Sequence, residues 1–375
     1  FYQSIKNNYY KSNIMKKLIL FYPSLERGGV KRNFLNFINV VKSYNLEIHI
    51  ITDQKIDKKF LNKKVTLHLI KKNIIPTLFY KFISSFISVF YLISLLLKNT
   101  FKDKVVYSFQ SSFFPSIVCF FFRTKFLIRV SEDPLGATQY ADERILSSIV
   151  FLSKIITYNL STKIIVNAKM MKKNVELFLF KKSKVYLVYN LVLNEILDIK
   201  KKRKNIFLNV GRLCKQKNQA SLINAFYYLN KFNKNYELII CGDGPDREKL
   251  KRLCYDLGIS KKVKFHGWVK NLPKIYKESK FFVLTSLYEG LPNALIDARN
   301  YGLVCLSTNV SGARDILNDN SLIIKNNDIK SIYKKMCYSV INYKNLEKKN
   351  KVKTKLNNFL RANGKETYKK ILINL

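Results

Sequence analysis

The sequence predicts an α/β protein built from two consecutive doubly wound domains, each with a parallel sheet. Short apolar stretches alternate with longer segments of helical periodicity, which is typical of βαβ units. Several apolar stretches end in a glycine-containing turn, and the same order restarts after a lysine-rich interruption at 190–204. Ligands of such folds bind beyond the carboxyl ends of the strands. We therefore expect the functional site among these glycine turns.

The first half alternates between predicted strands and helices in the order that a parallel sheet requires. The predicted strands are 17–22, 47–52, 65–70, 104–109, 125–130, 163–167 and 184–189, and the predicted helices are 30–42, 113–122 and 145–157. Residues 82–97 carry no charge. This stretch is shorter than the roughly 20 residues of a membrane-spanning helix, so we expect a buried or interfacial helix.

The second half repeats this pattern and sets the domain boundaries. Its predicted strands are 206–210, 237–241, 263–265, 281–284 and 303–307, and its predicted helices are 219–230, 246–257, 272–278 and a helix from Asn293. We expect four segments: residues 1–14 as an extension outside the fold, a first domain at 15–195, a second at 196–345, and a basic helical tail at 346–375 that packs back on the first domain.

The charge is strongly positive, with 68 Lys and Arg against 25 Asp and Glu, a formal net charge of +43. Such a field favours phosphates, nucleic acids or an anionic membrane surface. The lysines are scattered among Asn and Ile, as a compositional bias would leave them, and no nucleic-acid motif is present. The charge therefore permits anionic partners without identifying one, and we expect no nucleic acid.

The cysteines and histidines exclude several classes of site. The six cysteines form no C-x-x-C pair, which argues against a zinc site or a disulfide framework and is typical of a reducing compartment. The three histidines fit neither a nucleophilic triad nor a zincin motif. No D-x-D motif occurs, so we expect no divalent metal at the site.

The stretch 281–309 is the first candidate site. A short apolar strand breaks at residues 288–292 and a helix begins at Asn293, with Glu289 in the loop and Asp297 in the helix. The first N–H groups of a helix lack intrahelical partners and favour anionic or polyhydroxyl ligands. An ordinary turn with two surface carboxylates is the alternative.

Further candidates lie in other strand-end turns. Arg212 and Lys217 place two cations where phosphate can bind, although a chance pair is plausible in so basic a chain. Gly28-Gly29 permits close backbone approach, and the Trp268 segment offers a flat surface or simply a core residue. In 242–246 we expect Asp243 and Asp246 to be structural, in a turn that caps the following helix.

These segments together resemble glycosyltransferase family 4, whose members are retaining enzymes of the GT-B fold, with two Rossmann-like domains facing a central cleft. The resemblance covers roughly 15–340. It is carried by the order and spacing of Gly28-Gly29-Val30-Lys31-Arg32, Val210-Gly211-Arg212-Leu213 with Lys217, Gly242-Asp243-Gly244-Pro245, Gly267-Trp268, and 286–293.

The resemblance implies a role for each candidate residue. Glu289 would contact the transferred sugar, and Arg212 and Lys217 would neutralise the leaving diphosphate without a metal ion. Asp297, which stands where the family has Glu, would hold the ribose hydroxyls. The remaining donor-side residues are Gly211, Gly267, Trp268, Val269, Gly290, Leu291, Pro292, Asn293, Ala294 and Leu295, and the acceptor-side residues are Gly28, Gly29, Arg32 and Glu132.

The implied activity is transfer of a hexose or N-acetylhexosamine from a nucleotide diphosphate sugar, such as a UDP-sugar. The acceptor would be a surface glycan, as in lipopolysaccharide or capsule, or its lipid-linked precursor, and the enzyme would be cytoplasmic and peripheral on the inner membrane face. A sugar-nucleotide epimerase or a phosphorylase of the same fold, and a basic nucleic-acid-binding protein, remain as alternatives.

Overall fold

The computed structural model describes residues 16–24, 28–61, 64–70, 80–98, 104–109, 112–141, 144–199, 202–317, 319–325, 327–350 and 354–373. The predicted extension 1–14 lies outside them. Within them the chain forms two parallel sheets flanked by helices, the predicted fold class. Both sheets start in the middle, run outward to one edge, and then return to build the other edge.

The first sheet has seven strands in the order β3-β2-β1-β4-β5-β6-β7, all paired in parallel. The strands are β1 (Lys16–Phe21), β2 (Leu46–Thr52), β3 (Val65–Leu69), β4 (Lys104–Ser108), β5 (Lys125–Val130), β6 (Lys163–Val166) and β7 (Val185–Leu187). The helices are α1 (Gly29–Val41), α2 (Tyr80–Leu97), α3 (Phe113–Phe121), α4 (Pro134–Gln139), α5 (Arg144–Leu160) and α6 (Lys169–Glu176).

The second sheet repeats this topology with six strands in the order β10-β9-β8-β11-β12-β13. The strands are β8 (Lys204–Val210), β9 (Glu237–Cys241), β10 (Val263–Gly267), β11 (Ser279–Leu284), β12 (Val304–Thr308) and β13 (Ile323–Ile324). The helices are α7 (Gln219–Phe232), α8 (Arg247–Asp256), α9 (Leu272–Glu278), α10 (Asn293–Asn300), α11 (Ala313–Ile316), α12 (Ile329–Ile341), α13 (Tyr343–Asn350) and α14 (Arg361–Ile373).

Two short helices of the first domain were not predicted. Helix α4 follows β5, where the sequence suggested only a loop; Asp133 caps it by accepting the Leu135 N–H, and Pro134 occupies its first turn. Helix α6 spans eight residues, with Met171 and Val175 buried one turn apart. Both are too short to show a sustained period in the sequence.

The end of the chain returns to the first domain. Helix α14 lies on α1, where the Phe37 and Tyr368 rings pack edge to face with centroids 4.8 Å apart. The Tyr368 hydroxyl accepts a hydrogen bond from the buried Arg129 guanidinium. The Lys163 ammonium donates to the Ile371 carbonyl at 3.0 Å. The last helix therefore belongs structurally to the first sheet.

A histidine pair links β2 and β3. The rings of His49 and His68 stack with their nitrogens 3.0 Å apart, and His49 also contacts Glu47 at 2.9 Å. Burial, then the neighbouring His49 and Lys98, lowers the pKa of His68. The folded protein thus favours neutral His68. The resulting stability is fully present above the pKa that His68 has in the unfolded chain, and it is lost as the pH falls through the lower pKa of the folded protein.

We expect the wild type to lose more unfolding free energy between about pH 7.5 and about pH 5.5 than a His68→Gln variant, because an ordinary histidine takes up its proton in this window. Urea denaturation of both proteins at each pH gives the comparison. Equal losses in the two proteins would show that His68 does not carry this pH dependence.

Candidate active site

The carboxyl ends of the two sheets border a cleft of about 1700 Å³ between the domains. Every residue predicted for the site lines it except Leu295, whose side chain is fully buried. The cleft residues among them are Gly28, Gly29, Arg32, Glu132, Gly211, Arg212, Lys217, Gly267, Trp268, Val269, Glu289, Gly290, Leu291, Pro292, Asn293, Ala294 and Asp297. The structure thus brings the candidates from both halves of the chain to one cleft.

The loop between β11 and α10 is fixed on both sides. The Leu287 N–H donates to the Gln216 carbonyl at 2.8 Å, and the Thr308 hydroxyl donates to the Ser286 carbonyl at 2.6 Å. On the first-domain side Gly290 has no room for a side chain, because a Cβ there would collide with the Ser131 carbonyl oxygen. The loop carrying Glu289 is therefore held between the domains.

Glu289 is anchored by two side chains of the second domain. It forms a salt bridge with the Lys217 ammonium and accepts a hydrogen bond from the Ser286 hydroxyl at 2.9 Å. Lys217 stands in the turn after β8, which Thr285 anchors by donating to the Lys217 carbonyl at 3.0 Å. Ser286 was not singled out from the sequence, although it lies three residues before Glu289.

Arg212 stands on the same side of the cleft as this pair. Its side chain is exposed, and among the described residues no carboxylate forms a salt bridge or hydrogen bond with its guanidinium. Its own carbonyl accepts a hydrogen bond from Gln219 at 3.0 Å, which fixes its backbone. Arg212 and Lys217 both lie in the turn that leads into the N-terminus of α7. A guanidinium and an ammonium at such a position suit a diphosphate.

Asp297 has a partner in the first domain that the sequence did not indicate. The Arg32 guanidinium donates two hydrogen bonds to the two Asp297 carboxylate oxygens, at 2.5 and 3.1 Å. Burial lowers the pKa of Arg32, but the Asp297 charge and hydrogen bond outweigh it and the net shift is upward. In this state Asp297 bridges the two domains, and it would have to share or exchange this partner to hold a ribose.

A second bridge between the domains was missed from the sequence. The buried Asn190 amide donates to the Asn293 side-chain oxygen at 2.7 Å and to the Leu291 carbonyl at 3.3 Å. Its oxygen accepts from Arg129 at 2.8 Å. Because Asn190 falls in the lysine-rich stretch taken as a boundary, no sequence signal distinguished it. It positions the start of α10 against the first domain.

Glu132 faces the cleft from the loop after β5, opposite the Lys217–Glu289 pair. Desolvation by the cleft walls raises its pKa; Glu289 adds to this shift, while Lys154, Lys217 and Arg212 oppose it. The Gln216 amide lies 3.4 Å from its carboxylate and also donates to the Tyr288 carbonyl at 3.0 Å. A carboxyl group with a raised pKa at this position can accept or donate a hydrogen bond to a hydroxyl ligand.

The glycine turns of the second domain pack directly on one another at the strand ends. The Gly211 N–H donates to the Cys241 carbonyl at 3.0 Å, and the Gly242 N–H donates to the Gly267 carbonyl at 2.7 Å. Trp268 follows with 61% of its surface exposed, so it is not a core residue. This close packing leaves backbone and a flat indole ring at the cleft wall.

The two aspartates of the 242–246 turn have different roles. Asp243 accepts hydrogen bonds from the Gly244 N–H at 2.9 Å and from Arg247 at 3.2 Å, which fits a structural function. Asp246 occupies the N-cap position of α8, but its side chain makes no capping hydrogen bond. The expected cap is therefore wrong in that detail.

We expect Gly242→Ala to destabilise the protein by about 3 kcal/mol, because a Cβ would collide with the Gly211 carbonyl and φ is +140°. The matched control is Gly258→Ala, where φ is +68° but no heavy atom lies within 4 Å, so only a backbone cost of about 1 kcal/mol applies. Urea denaturation measures both values. Equal losses would show that crowding at the turn is unimportant.

Residues 196–355 match the family described as "Glycosyl transferases group 1". A glycosyltransferase of Methanocaldococcus jannaschii, "Uncharacterized glycosyltransferase MJ1059", is 35% identical over 210 residues, covering 52% of this chain and 50% of that protein. A second relative, from Campylobacter jejuni, is 32% identical over 176 residues, covering 45% of this chain and 48% of its own length. The chain spans about half the length of these curated relatives.

That second relative is the "GalNAc-alpha-(1->4)-GalNAc-alpha-(1->3)-diNAcBac-PP-undecaprenol alpha-1,4-N-acetyl-D-galactosaminyltransferase". Among solved structures, Anabaena Alr3699/HepE in complex with UDP and glucose superposes with a TM-score of 0.74, covering 96% of this chain and all of that one at 13% identity. The superposition, together with the two sheets, confirms the GT-B fold. The family match covers residues 196–355, which contain all strands of the second sheet.

Proposed function

We propose, from the premise that residues 196–355 are a group 1 glycosyltransferase domain, that this chain is a retaining glycosyltransferase. It would move a sugar from a nucleotide diphosphate sugar, most simply a UDP-sugar, to a surface glycan or lipid-linked oligosaccharide. The observation that carries the proposal is the Lys217–Glu289 pair, which lies beside Arg212 in the interdomain cleft.

Donor binding would use the second-domain wall. The exposed guanidinium of Arg212 and the ammonium of Lys217 would hold the diphosphate, and they stabilise the charge that develops on it as the sugar leaves. The N-terminal end of α10 adds partial positive charge. HepE, whose structure contains UDP and glucose, supports UDP as the nucleotide.

Glu289 would bind the transferred sugar. Lys217 and Ser286 orient its carboxylate, so that it can accept hydrogen bonds from sugar hydroxyls or lie next to positive charge that develops at the anomeric carbon. In the retaining mechanism the acceptor hydroxyl attacks the face that the leaving group vacates, and the departing phosphate takes the hydroxyl proton. This route needs no protein nucleophile.

The first-domain wall would bind the acceptor, with Gly28, Gly29, Arg32 and Glu132 facing the donor residues. The Campylobacter jejuni relative supports a lipid-linked acceptor, because its name contains a diphosphoundecaprenol-linked saccharide. We place the enzyme peripherally on the inner face of the membrane. No helix among the described residues has the length and apolarity of a membrane span.

A thermal-shift screen against nucleotide sugars and free nucleoside diphosphates tests donor binding. We expect one nucleotide sugar and its own nucleoside diphosphate to raise the melting temperature, because a ligand that binds only the native state stabilises it by mass action. No shift with any member of the panel, at concentrations near 1 mM where weak donors would register, would contradict the proposed donor site.

A further inference from the structure

Three helices of the first domain lie side by side on one face of its sheet. Helix α3 contacts both α2 and α5. Their inward side chains, such as Leu92, Cys119 and Tyr158, belong to the same core cluster as alternate residues of β4 and β5. The opposite face of this sheet is covered by α1 and α14. The outer sides of α2, α3 and α5 face away from the sheet.

Large apolar side chains cover this outer side, which we name the apolar helix face. They are Phe86, Phe90, Tyr91 and Leu97 of α2, Phe114, Phe120, Phe121 and the following Phe122 of α3, and Ile145, Ile149, Val150, Leu152 and Ile156 of α5. In α5 the spacing of Ile145, Ile149, Leu152 and Ile156 makes one stripe. Exposure reaches 77% for Phe121 and 81% for Ile145. Such a concentration marks an interaction surface.

The charged side chains within these helices, and directly after α2 and α3, have one sign. None of the three helices contains Asp or Glu. Lys98 follows α2, Arg123 and Lys125 follow α3, and Lys154 lies in α5. Near the end of α5, Phe180 is 98% exposed and precedes Lys181 and Lys182. Apolar side chains bordered by cations match the boundary between acyl chains and anionic headgroups.

The apolar helix face continues into the proposed active site. Ser85 of α2, Phe113 and Phe114 of α3, and Val150 and Lys154 of α5 all line the interdomain cleft. Phe114 and Val150 therefore belong to both surfaces. A saccharide joined to a membrane lipid could enter the cleft here while its lipid chain stays in the bilayer.

We propose that the apolar helix face docks on a membrane surface containing anionic lipids and places the cleft mouth at the headgroups. The inference deepens the proposed function, since it names the surface on which a lipid-linked acceptor would be met. Aromatic and aliphatic side chains enter the interfacial layer, and the bordering lysines and arginines pair with lipid phosphates.

The test is co-sedimentation of the full chain with phosphatidylcholine vesicles, with and without phosphatidylglycerol. We expect binding to the anionic vesicles that weakens at high salt. A Phe90→Ser/Phe121→Ser/Ile149→Ser variant should bind them about ten-fold less, because three apolar contacts are lost. The matched control, Phe232→Ser/Tyr255→Ser/Ile341→Ser, removes equally exposed apolar side chains from the second domain and should bind like the wild type.

A second variant, Arg123→Glu/Lys125→Glu, alters charge alone and should also bind anionic vesicles less, so the test does not depend on folding of the triple serine variant. Equal binding by the wild type and these variants would overturn the proposal. A triple serine variant that binds vesicles like the wild type but changes from dimer to monomer in light scattering would also overturn it, since the face would then bind a second copy.

Stabilisation by UDP, measured on the same proteins, separates this proposal from the function on which it rests. The substituted residues lie outside the lining of the cleft, so each folded variant should keep whatever UDP-induced rise in melting temperature the wild type shows. Vesicle binding without any UDP response would leave the docking face standing and remove the nucleotide site. A UDP response without vesicle binding would support the nucleotide site and rule out the docking face.

Discussion

Glu289→Gln is expected to lower the transfer rate about 10²–10³-fold while leaving the fold intact, since a transition-state contact of this kind has that magnitude. The substitution keeps the side-chain volume and the Ser286 hydrogen bond but removes the charge that pairs with Lys217. Product formation with the donor identified by the thermal-shift screen gives the rate, and melting curves check the fold. Undiminished transfer would remove Glu289 from the mechanism.

Asp297→Asn is the control for this result, because it removes the other carboxylate of the same segment. Asp297 is held by Arg32 across the cleft, so its neutralisation should weaken the bridge between the domains more than the chemistry. We expect a clearly smaller loss of transfer rate than for Glu289→Gln. A larger loss would reverse the roles assigned to the two carboxylates.

Arg212→Ala is expected to lower kcat/KM about 10²-fold and to weaken UDP binding about ten-fold, because a charge-assisted contact to the diphosphate is lost. Arg212→Lys should recover only part of the loss, since lysine keeps the charge but not the bidentate geometry. Steady-state kinetics and calorimetric titration with UDP measure the two effects.

Arg252→Ala provides the matched control for the loss of one positive charge. Arg252 is exposed on α8 and does not line the cleft. In so basic a chain, a nonspecific effect of net charge would appear equally in both variants. Equal losses in UDP affinity would therefore contradict a specific diphosphate contact at Arg212.

Local patterns in the sequence predicted most of the fold and the positions of the strand-end turns. Buried strands of parallel sheets are continuous apolar stretches, and their glycine turns are conspicuous. The turns at Gly211, Gly242 and Gly267 therefore indicated one edge of the second sheet, and the structure stacks them there. Short helices such as α4, whose formation depends on one aspartate cap and one proline, gave no sustained pattern.

Contacts between the domains could not be predicted from local patterns. Arg32 and Asp297 are 265 positions apart, and neither residue reveals the other as its partner. Asn190 is one asparagine in an Asn-rich chain, and only the folded arrangement places it between Arg129 and Asn293. The motifs thus identified the walls of the cleft, while the bonds that join these walls required the structure.

The most direct test is a transfer assay that supplies sugar nucleotides together with lipid-linked saccharide acceptors. We expect nucleoside diphosphate to be released in step with acceptor elongation, and the new linkage, assigned by NMR, to keep the anomeric configuration of the donor. An inverted linkage would contradict retention. No nucleoside diphosphate from any sugar nucleotide in the presence of these acceptors would contradict the assignment as a glycosyltransferase.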